Sequence, residues 1–212
     1  TSWTDFANFD IAGRPSPPPR QEFVAHYCII DSRYFQTMQV PLIRGRYFTD
    51  TDDQGAQGVA IVNQTLARQY WANQEAIGQR VRIHLQESKS VPWRPGASDA
   101  WLTIVGIVAD TNERKPGDQG PGELYLPYPQ TPSRMMRIVL RTSGPPESLA
   151  GAARQVVQSI DPNQPVTEVQ SMEQLVSASV SSESLNAILL TFFAALALIL
   201  AGIGIYGVIS YG

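Results

Sequence analysis

The sequence predicts an α+β body that ends in a membrane-spanning helix. Three observations carry this. Charge vanishes after Glu183, and residues 184–212 contain no Asp, Glu, Lys or Arg. The 16 prolines and 16 glycines among 212 residues imply many turns and strand ends, more than an all-helical protein would want. Between these breakers, short runs of alternating apolar residues are interspersed with stretches of helical period.

Residues 1–21 are mixed and end in Pro15-Ser16-Pro17-Pro18-Pro19, a stiff extended connector. Residues 23–30 alternate like a half-buried strand, with Phe23, Ala25, Tyr27 and Ile29 on one side. Asp31 stands where it would cap a short helix running through Met38. Residues 40–43 are extended, because Pro41 biases its predecessor away from helix. Residues 58–62 form a short apolar strand, and Asn63 then caps a helix that turns Leu66, Ala67, Tyr70 and Trp71 inward. Val81, Ile83 and Leu85 alternate with Arg82 and His84 in another strand. Residues 89–100 are polar and contain proline, which reads as a loop; residues 101–109 are a continuous apolar strand, and 123–126 follow after a glycine-rich turn. Residues 137–141 open a βαβ-like unit, whose second strand is 166–169. Its helix, about 147–160, is expected to bury Leu149, Ala153, Val156 and Ile160. Ser171-Met172-Glu173-Gln174 has the S-x-x-Q pattern of a capping box. No proline or glycine follows until Gly202, which predicts one long helix rising from the body into the bilayer.

Residues 187–210 read AILLTFFAALALILAGIGIYGVIS. A bilayer core needs about 20 apolar residues in a helix, while apolar runs of about 14 or fewer suit a buried helix of a soluble domain. Leucines and aromatics cover every side of this run, leaving no polar stripe for water. Gly202, Gly204 and Gly207 spell GxGxxG, but that motif marks a dinucleotide site only after a strand and at the start of a helix. Here it lies deep in the apolar run with no acidic residue after it. Ala197, Ala201, Gly204 and Gly207 recur at helical spacing and would form a face that another helix can approach closely. Glycine and alanine are also simply common in membrane helices, and both readings stand.

Composition narrows the function. The net charge of −3 is too small to imply a nucleic-acid partner. The single cysteine, Cys28, rules out an intrachain disulfide, and its strand-like context reads as a buried, inert thiol. Cysteine poverty fits a periplasmic and a cytosolic protein equally. Thr1 opens in mid-chain fashion without a signal peptide, and both ends are expected to continue in a longer protein.

Few residues invite chemistry. Asp50, Asp52 and Gly55 begin like a calcium loop, but its twelfth position is Ile61 where a bidentate glutamate is required, so an acidic surface turn is the better reading. His26 and Cys28 share a strand face like a base and a thiol, without a cleft or a third orienting group. His84 reads as a solvent-facing strand histidine. Two histidines and one cysteine are too few for a zinc site of those ligands. Arg33, Arg44 and Arg46 surround Gly45, where such arginines more often hold loop carbonyls or carboxylates than substrate. There is no Walker loop and no nucleophile elbow. The chain is read as a non-enzyme with no cofactor, no metal and no nucleic-acid partner.

An ordered set of residues resembles a known family. Tyr34-Phe35, Val40-Pro41, Gly45-Arg46 with Phe48, an apolar strand ending in Asn63, a helix ending in Trp71 and the turn at Ile77-Gly78 come in this sequence. The stretch resembles the periplasmic core domain of MacB-type ABC transporter permeases. The segments WLTIVGIVAD and ELYLPYPQ, and the run from VLRTSGPP to SMEQLV, are similar to the same family's later parts. The tail resembles the opening of an FtsX-like permease domain, its second membrane helix. Residues 89–100 depart from the pattern, as an insertion would.

The resemblance implies a discontinuous, membrane-proximal, porter-like βαβ subdomain of residues 1–39 and 130–175. It implies a mixed α/β second subdomain of residues 40–129, then a connecting helix and transmembrane segment over 176–212. The domain would sit between the first two of four membrane helices of a dimeric permease in the bacterial inner membrane, with its bulk in the periplasm. Its partners would be a separate or fused cytoplasmic ABC ATPase, a second permease copy, membrane lipid, and a periplasmic adaptor or envelope protein. The expected role is mechanotransmission or efflux, with substrate or partner binding. The alternative is a membrane-anchored extracytoplasmic sensor or ligand-binding module without an ATPase partner.

Overall fold

The computed structural model describes residues 5–18, 20–72, 74–85, 100–111, 121–133, 136–167 and 169–174, together with residues 191, 193, 194, 197, 200 and 201 of the tail. The chain divides into two compact units, residues 2–140 and 141–212.

Among its described residues the first unit holds seven strands and two helices. They are β1 (Asp5–Ile11), β2 (Phe23–Ile30), α1 (Tyr34–Met38), β3 (Leu42–Gly45), β4 (Val59–Asn63), α2 (Gln64–Trp71), β5 (Arg80–His84), β6 (Leu102–Val108) and β7 (Glu123–Pro127). The sheet order is β3-β6-β4-β7-β2-β1-β5, and β5 also pairs with β6. That last pairing, Arg80 with Thr103 and Val81 with Leu102, joins six strands into a ring. A closed ring leaves few unpaired backbone edges. β3 lies on the same edge of β6, farther along, where Gly45 pairs with Gly106. Two pairs, β2 with β7 and β4 with β6, are parallel, and the rest are antiparallel.

Two cores form because both faces of the central strands are covered. Ala7, Phe9, Ala25, Val62, Ile83 and Leu124 belong to one core, together with Leu66 and Trp71 of α2. Ile30, Ile61, Val108 and Tyr125 belong to the other, with Phe35 of α1 and Phe48. All five residues of β4 are therefore buried, which is why Val59 to Val62 run apolar without alternation before the buried Asn63. Two glycines seat β3 on β6. Gly45 has φ +79°, and a Cβ there would run into the carbonyl oxygen of Val105 and lie 2.9 Å from the Gly106 Cα. A Cβ on Gly106 would in turn meet the Arg46 carbonyl oxygen.

Most expected elements form close to their expected places, and the differences have physical causes. β1 lies inside the mixed stretch of residues 1–21 ahead of the proline connector, where no strand is expected from sequence. It is held by Asp5–Phe9 pairing with Phe23–Tyr27 and by Asn8–Ile11 pairing with Val81–His84. Asp31 does not cap α1. Arg33 occupies the N-cap position without a side-chain cap bond, and Asp31 Oδ1 instead accepts the Arg33 backbone N–H at 3.0 Å, closing a turn ahead of the helix. Asn63 caps α2 as expected, accepting the Leu66 N–H at 2.9 Å. β1 and β2 share one sheet with β3 to β7.

The second unit contains α3 (Glu147–Ile160). The helix is where its period placed it, but it buries no residue: Leu149 and Ala153 are half-buried, while Val156 and Ile160 are 60% and 82% exposed. The strands expected on either side of it are not formed by the described residues of 137–141 and 166–169. Among the described residues no strand packs on the apolar stripe of α3. The capping box does form: Ser171 N–H donates to Gln174 Oε1 at 3.1 Å, Gln174 N–H donates to Ser171 Oγ at 3.2 Å, and residues 172–174 are helical. No helix among the described residues is long and apolar enough to cross a membrane. Most of the apolar run 187–210, on which the transmembrane expectation falls, lies outside those residues.

Candidate functional site

The parallel pair β2 and β7 ends at a recess of about 190 Å³. Ligand crevices of open parallel sheets lie outside the carboxyl ends of their strands, and this recess occupies the equivalent place. Asp31 and Ser32 leave β2 directly into one wall; Pro127, Tyr128 and Pro129 leave β7 into another. The Tyr128 N–H donates to the Ile30 carbonyl at 2.8 Å, which holds the two exits side by side. The third wall is Phe48, Thr49 and Asp50, in the connection between β3 and β4.

That connection, expected from sequence to be an acidic surface turn, is fixed by an ion pair with a buried carboxylate. Asp52 is only 4% exposed. Arg46 Nη1 donates to its Oδ2 at 2.7 Å and Nη2 to its Oδ1 at 2.8 Å, a two-pronged bond. Thr49 adds its N–H at 2.8 Å and its hydroxyl at 3.1 Å, both to Oδ2. The same guanidinium donates to the Tyr47 carbonyl at 3.0 Å. The three carboxylates of the calcium-like motif thus turn to three different places. Asp52 turns to Arg46, Asp53 accepts the Gly55 and Ala56 N–H groups, and Asp50 Oδ1 accepts the Ser32 hydroxyl at 2.8 Å. Among the described residues, no three acidic, histidine or cysteine side chains group closely enough to hold a metal ion.

The Arg46 bond holds the Asp52 carboxyl below its ordinary range, against the opposing pull of burial. A carboxylate lowered on folding stabilises above its unfolded value, about 4, and loses that contribution as pH falls through its folded value. Asp52→Asn is therefore expected to lower stability by about 1–2 kcal/mol at neutral pH, the low end for a charged hydrogen bond because Arg46 is half exposed. The gap to wild type should shrink below about pH 4. Chemical denaturation at pH 7 and pH 3 measures both; a gap that does not depend on pH would remove the ion pair from the explanation.

A buried polar group lies at the other end of β7, four residues before Pro127 of the recess. Glu123, 7% exposed, accepts the Tyr125 hydroxyl at 2.5 Å and lies 3.3 Å from the Thr111 hydroxyl. Burial, and then the Glu123 charge, push the Tyr125 phenol well above its ordinary range, so it remains a donor. The Glu123 backbone N–H donates to Asn63 Oδ1, the atom that also caps α2.

The other residues singled out in the sequence fall into structural roles. His26 packs against Phe6 with ring centroids 3.9 Å apart and the planes tilted by 35°, and Cys28 is half-buried on the same strand. His84 Nε2 lies 2.9 Å from Asp10 Oδ2, which also accepts Arg82 at 2.7 Å, so this cluster ties β1 to β5. Arg44 pairs with Glu75 at 2.6 Å. Of the small-residue face, Ala197 and Ala201 are helical and exposed, while Gly204 and Gly207 lie outside the described residues. A second recess, about 270 Å³, opens beside Ile83, Leu102 and Leu126. Its amide Gln130 is already committed, accepting from Val59 N–H and donating to the Asp53 and Gln57 carbonyls.

Comparisons place this architecture among known proteins. A family model described as the MacB-like periplasmic core domain matches residues 12–177. The periplasmic region of MacB from Actinobacillus actinomycetemcomitans superposes with a TM-score of 0.51 at 15% identity, over 74% of this chain and 64% of that one. This chain therefore spans less than two thirds of that region's length. The extracellular domain of the noncanonic ABC-type transporter YknZ from Gram-positive bacteria matches at 16% identity and a TM-score of 0.36, over 58% of this chain and 54% of that one. No curated protein matches the chain significantly.

Proposed function

The chain belongs to the family of MacB-like periplasmic core domains, and from that premise we propose that it is the non-catalytic, extracytoplasmic part of an ABC-type permease that couples envelope-side movement to cytoplasmic ATP hydrolysis. In this reading the residues after 176 continue as the connecting helix and enter the inner membrane, and Ala197, Ala201, Gly204 and Gly207 face a neighbouring helix. The partners are a cytoplasmic ABC ATPase, a second permease copy, membrane lipid, and an adaptor or envelope protein met on the periplasmic side.

One observation carries the coupling part of this reading. The reciprocal capping box at Ser171 and Gln174 opens a helix, and every described residue of the tail from 191 to 201 is helical. A helix begun by a firm cap and continued into a bilayer is stiff along its axis, so movement at one end reaches the other.

Met172, in the first turn after the cap and 39% exposed, supplies the test. In the complete permease, with Cys28→Ala and any cysteine outside these 212 residues also replaced, Met172→Cys is treated with a membrane-impermeant maleimide in intact spheroplasts. We expect reaction before lysis, at a rate that changes severalfold when ATP turnover is trapped with vanadate. Reaction only after lysis would overturn the extracytoplasmic placement. Reaction before lysis at a rate indifferent to vanadate would leave the placement and remove the coupling.

A further inference from the structure

We infer that the second recess, at one end of the six-stranded ring, is a binding site for a small uncharged molecule: a compact apolar body that carries one hydrogen-bonding oxygen. The inference goes beyond the transport reading and stands whether or not the domain couples to an ATPase.

This recess is the mouth of the barrel. The strand directions bring the ends of β5 and β7 and the beginnings of β4 and β6 to one end of the ring. Ile83 is the last but one residue of β5, Leu102 the first of β6, and Leu126 the last but one of β7. All three line the mouth and belong to one hydrophobic core, so the floor of the mouth is the domain's own core. About 270 Å³ opens there, and barrel mouths are a common place for small ligands. No charged residue is among the described residues that line it. An ion would leave water there without a partner, which selects for a neutral occupant.

One side chain in the mouth points to a ligand. Asp52, Asn63, Glu123 and Thr131 are the buried polar or charged residues among those described. Asp52 accepts from Arg46 and Thr49, Asn63 from the Leu66 and Glu123 N–H groups, and Glu123 from the Tyr125 hydroxyl. Thr131 is the exception. It is 5% exposed and lines the mouth, yet its hydroxyl has no hydrogen-bond partner among the described residues. Nor is the hydroxyl sealed: among the described residues, Trp71 Nε1 is the buried side-chain atom both unpaired and cut off from the surface. The Thr131 hydroxyl therefore faces the opening that its residue lines. Buried polar groups are nearly always paired, so this one is matched by a partner from outside the protein.

The hydroxyl is also held in place. The Thr131 N–H donates to the carbonyls of Pro127 and Tyr128, each at 3.1 Å. Beside it, Gln130 Oε1 accepts the Val59 N–H at 3.1 Å, and Nε2 donates to the Asp53 and Gln57 carbonyls at 3.2 and 3.0 Å. These bonds tie the turn after β7 to the start of β4, and they occupy both donors of the Gln130 amide. A hydroxyl both donates and accepts, so an alcohol or a ketone oxygen pairs with Thr131 while the apolar body covers Ile83, Leu102 and Leu126. Little ordering remains to be done on binding, because the walls are already fixed.

The test uses the 212-residue chain in neutral detergent, with cyclohexanol as probe and cyclohexylammonium and cyclohexanecarboxylate as its charged counterparts. Nitrogen–proton NMR shifts are followed at Gly58, Leu102 and Thr131. We expect cyclohexanol to give saturable shifts at these amides, with a dissociation constant on the order of 1 mM. Both ions should bind at least about tenfold more weakly. Thr131→Val keeps the shape of the wall and removes the hydroxyl, so cyclohexanol should bind about fivefold more weakly, the worth of one ordinary hydrogen bond. The same variant should unfold at an unchanged or higher temperature, because it removes a buried hydroxyl that no protein group satisfies. A lower midpoint would mean that the hydroxyl serves the fold, and it would overturn the assignment. So would unchanged binding by Thr131→Val, equal binding of the ions, or the absence of saturable shifts at these amides, which would leave the mouth to water alone.

Discussion

Gly45→Ala should lower stability by at least about 3 kcal/mol, and Gly13→Ala by only about 1. The two glycines have the same backbone angle, φ +79°. Each therefore carries the same conformational cost when a Cβ is added. They differ in what the Cβ would meet. At Gly13 there is nothing within 4 Å, while at Gly45 the Cβ would collide with the Val105 carbonyl and press on the Gly106 backbone. Neither obstacle is a side chain that can rotate away, so β3 would have to lift from β6. The difference between the two variants isolates the backbone collision from the torsional penalty. A drop of about 10 °C in midpoint for Gly45→Ala is expected, against about 3 °C for Gly13→Ala. Thermal unfolding followed by circular dichroism reads both. If the two variants shift alike, β3 does not approach β6 as closely as described here.

Much of this unit could be read from local pattern. β2 and β5 show the period of two, and β4 and β6 are short apolar runs flanked by polar residues. Asn63 is followed by a helical stripe of Leu66, Ala67, Tyr70 and Trp71, and the structure buries that stripe. β1 was equally alternating, with Ala7, Phe9 and Ile11 buried. Its asparagine and aspartates are poor strand formers, and the proline run beyond it drew the reading toward a connector. What no local pattern contains is closure. The pairings of β1 with β5 and of β5 with β6 join segments far apart in sequence, and the alternation says which face is buried but not which edge is partnered. The same limit misjudged α3: its period marks an apolar stripe, and period alone cannot supply the surface that covers it.

The recess was less legible than the fold. Its residues come from three separate connections, and each one taken alone is an ordinary turn. The sequence around Asp50, Asp52 and Asp53 was visibly acidic, but spacing could not tell a solvated turn from one whose middle carboxylate is buried. The signal that could have separated them was Arg46, six residues before Asp52 and next to a glycine that places it at a strand end. An arginine and a carboxylate on either side of a short polar turn are within reach of each other, and a guanidinium bond to a buried carboxylate fixes a loop that would otherwise be loose.

Asn63→Ala should cost about 3 kcal/mol, although it removes no apolar contact of any size. Asn63 is 2% exposed, and its Oδ1 accepts two buried backbone N–H groups at 2.9 Å: Leu66 in the first turn of α2 and Glu123 at the start of β7. Alanine leaves both donors without an acceptor, in a place water does not reach. Losing the helix cap costs about 1 kcal/mol, and a stranded buried N–H costs a further 1–3, roughly. Asn63→Ser separates the two. Serine is a good cap and keeps an acceptor for Leu66, but its shorter side chain does not extend to Glu123 as well, so it should lose about half as much. The crowding nearby leaves little room for rescue by movement, since a Cβ on Gly122 would collide with the Leu66 backbone. Amide hydrogen exchange distinguishes this account from general loosening of the sheet. In Asn63→Ala, the Leu66 and Glu123 amides should both exchange faster than those of β6, and in Asn63→Ser only Glu123 should. A serine variant as stable as wild type, with alanine losing only about 1 kcal/mol, would mean that Asn63 serves the helix cap without linking it to β7.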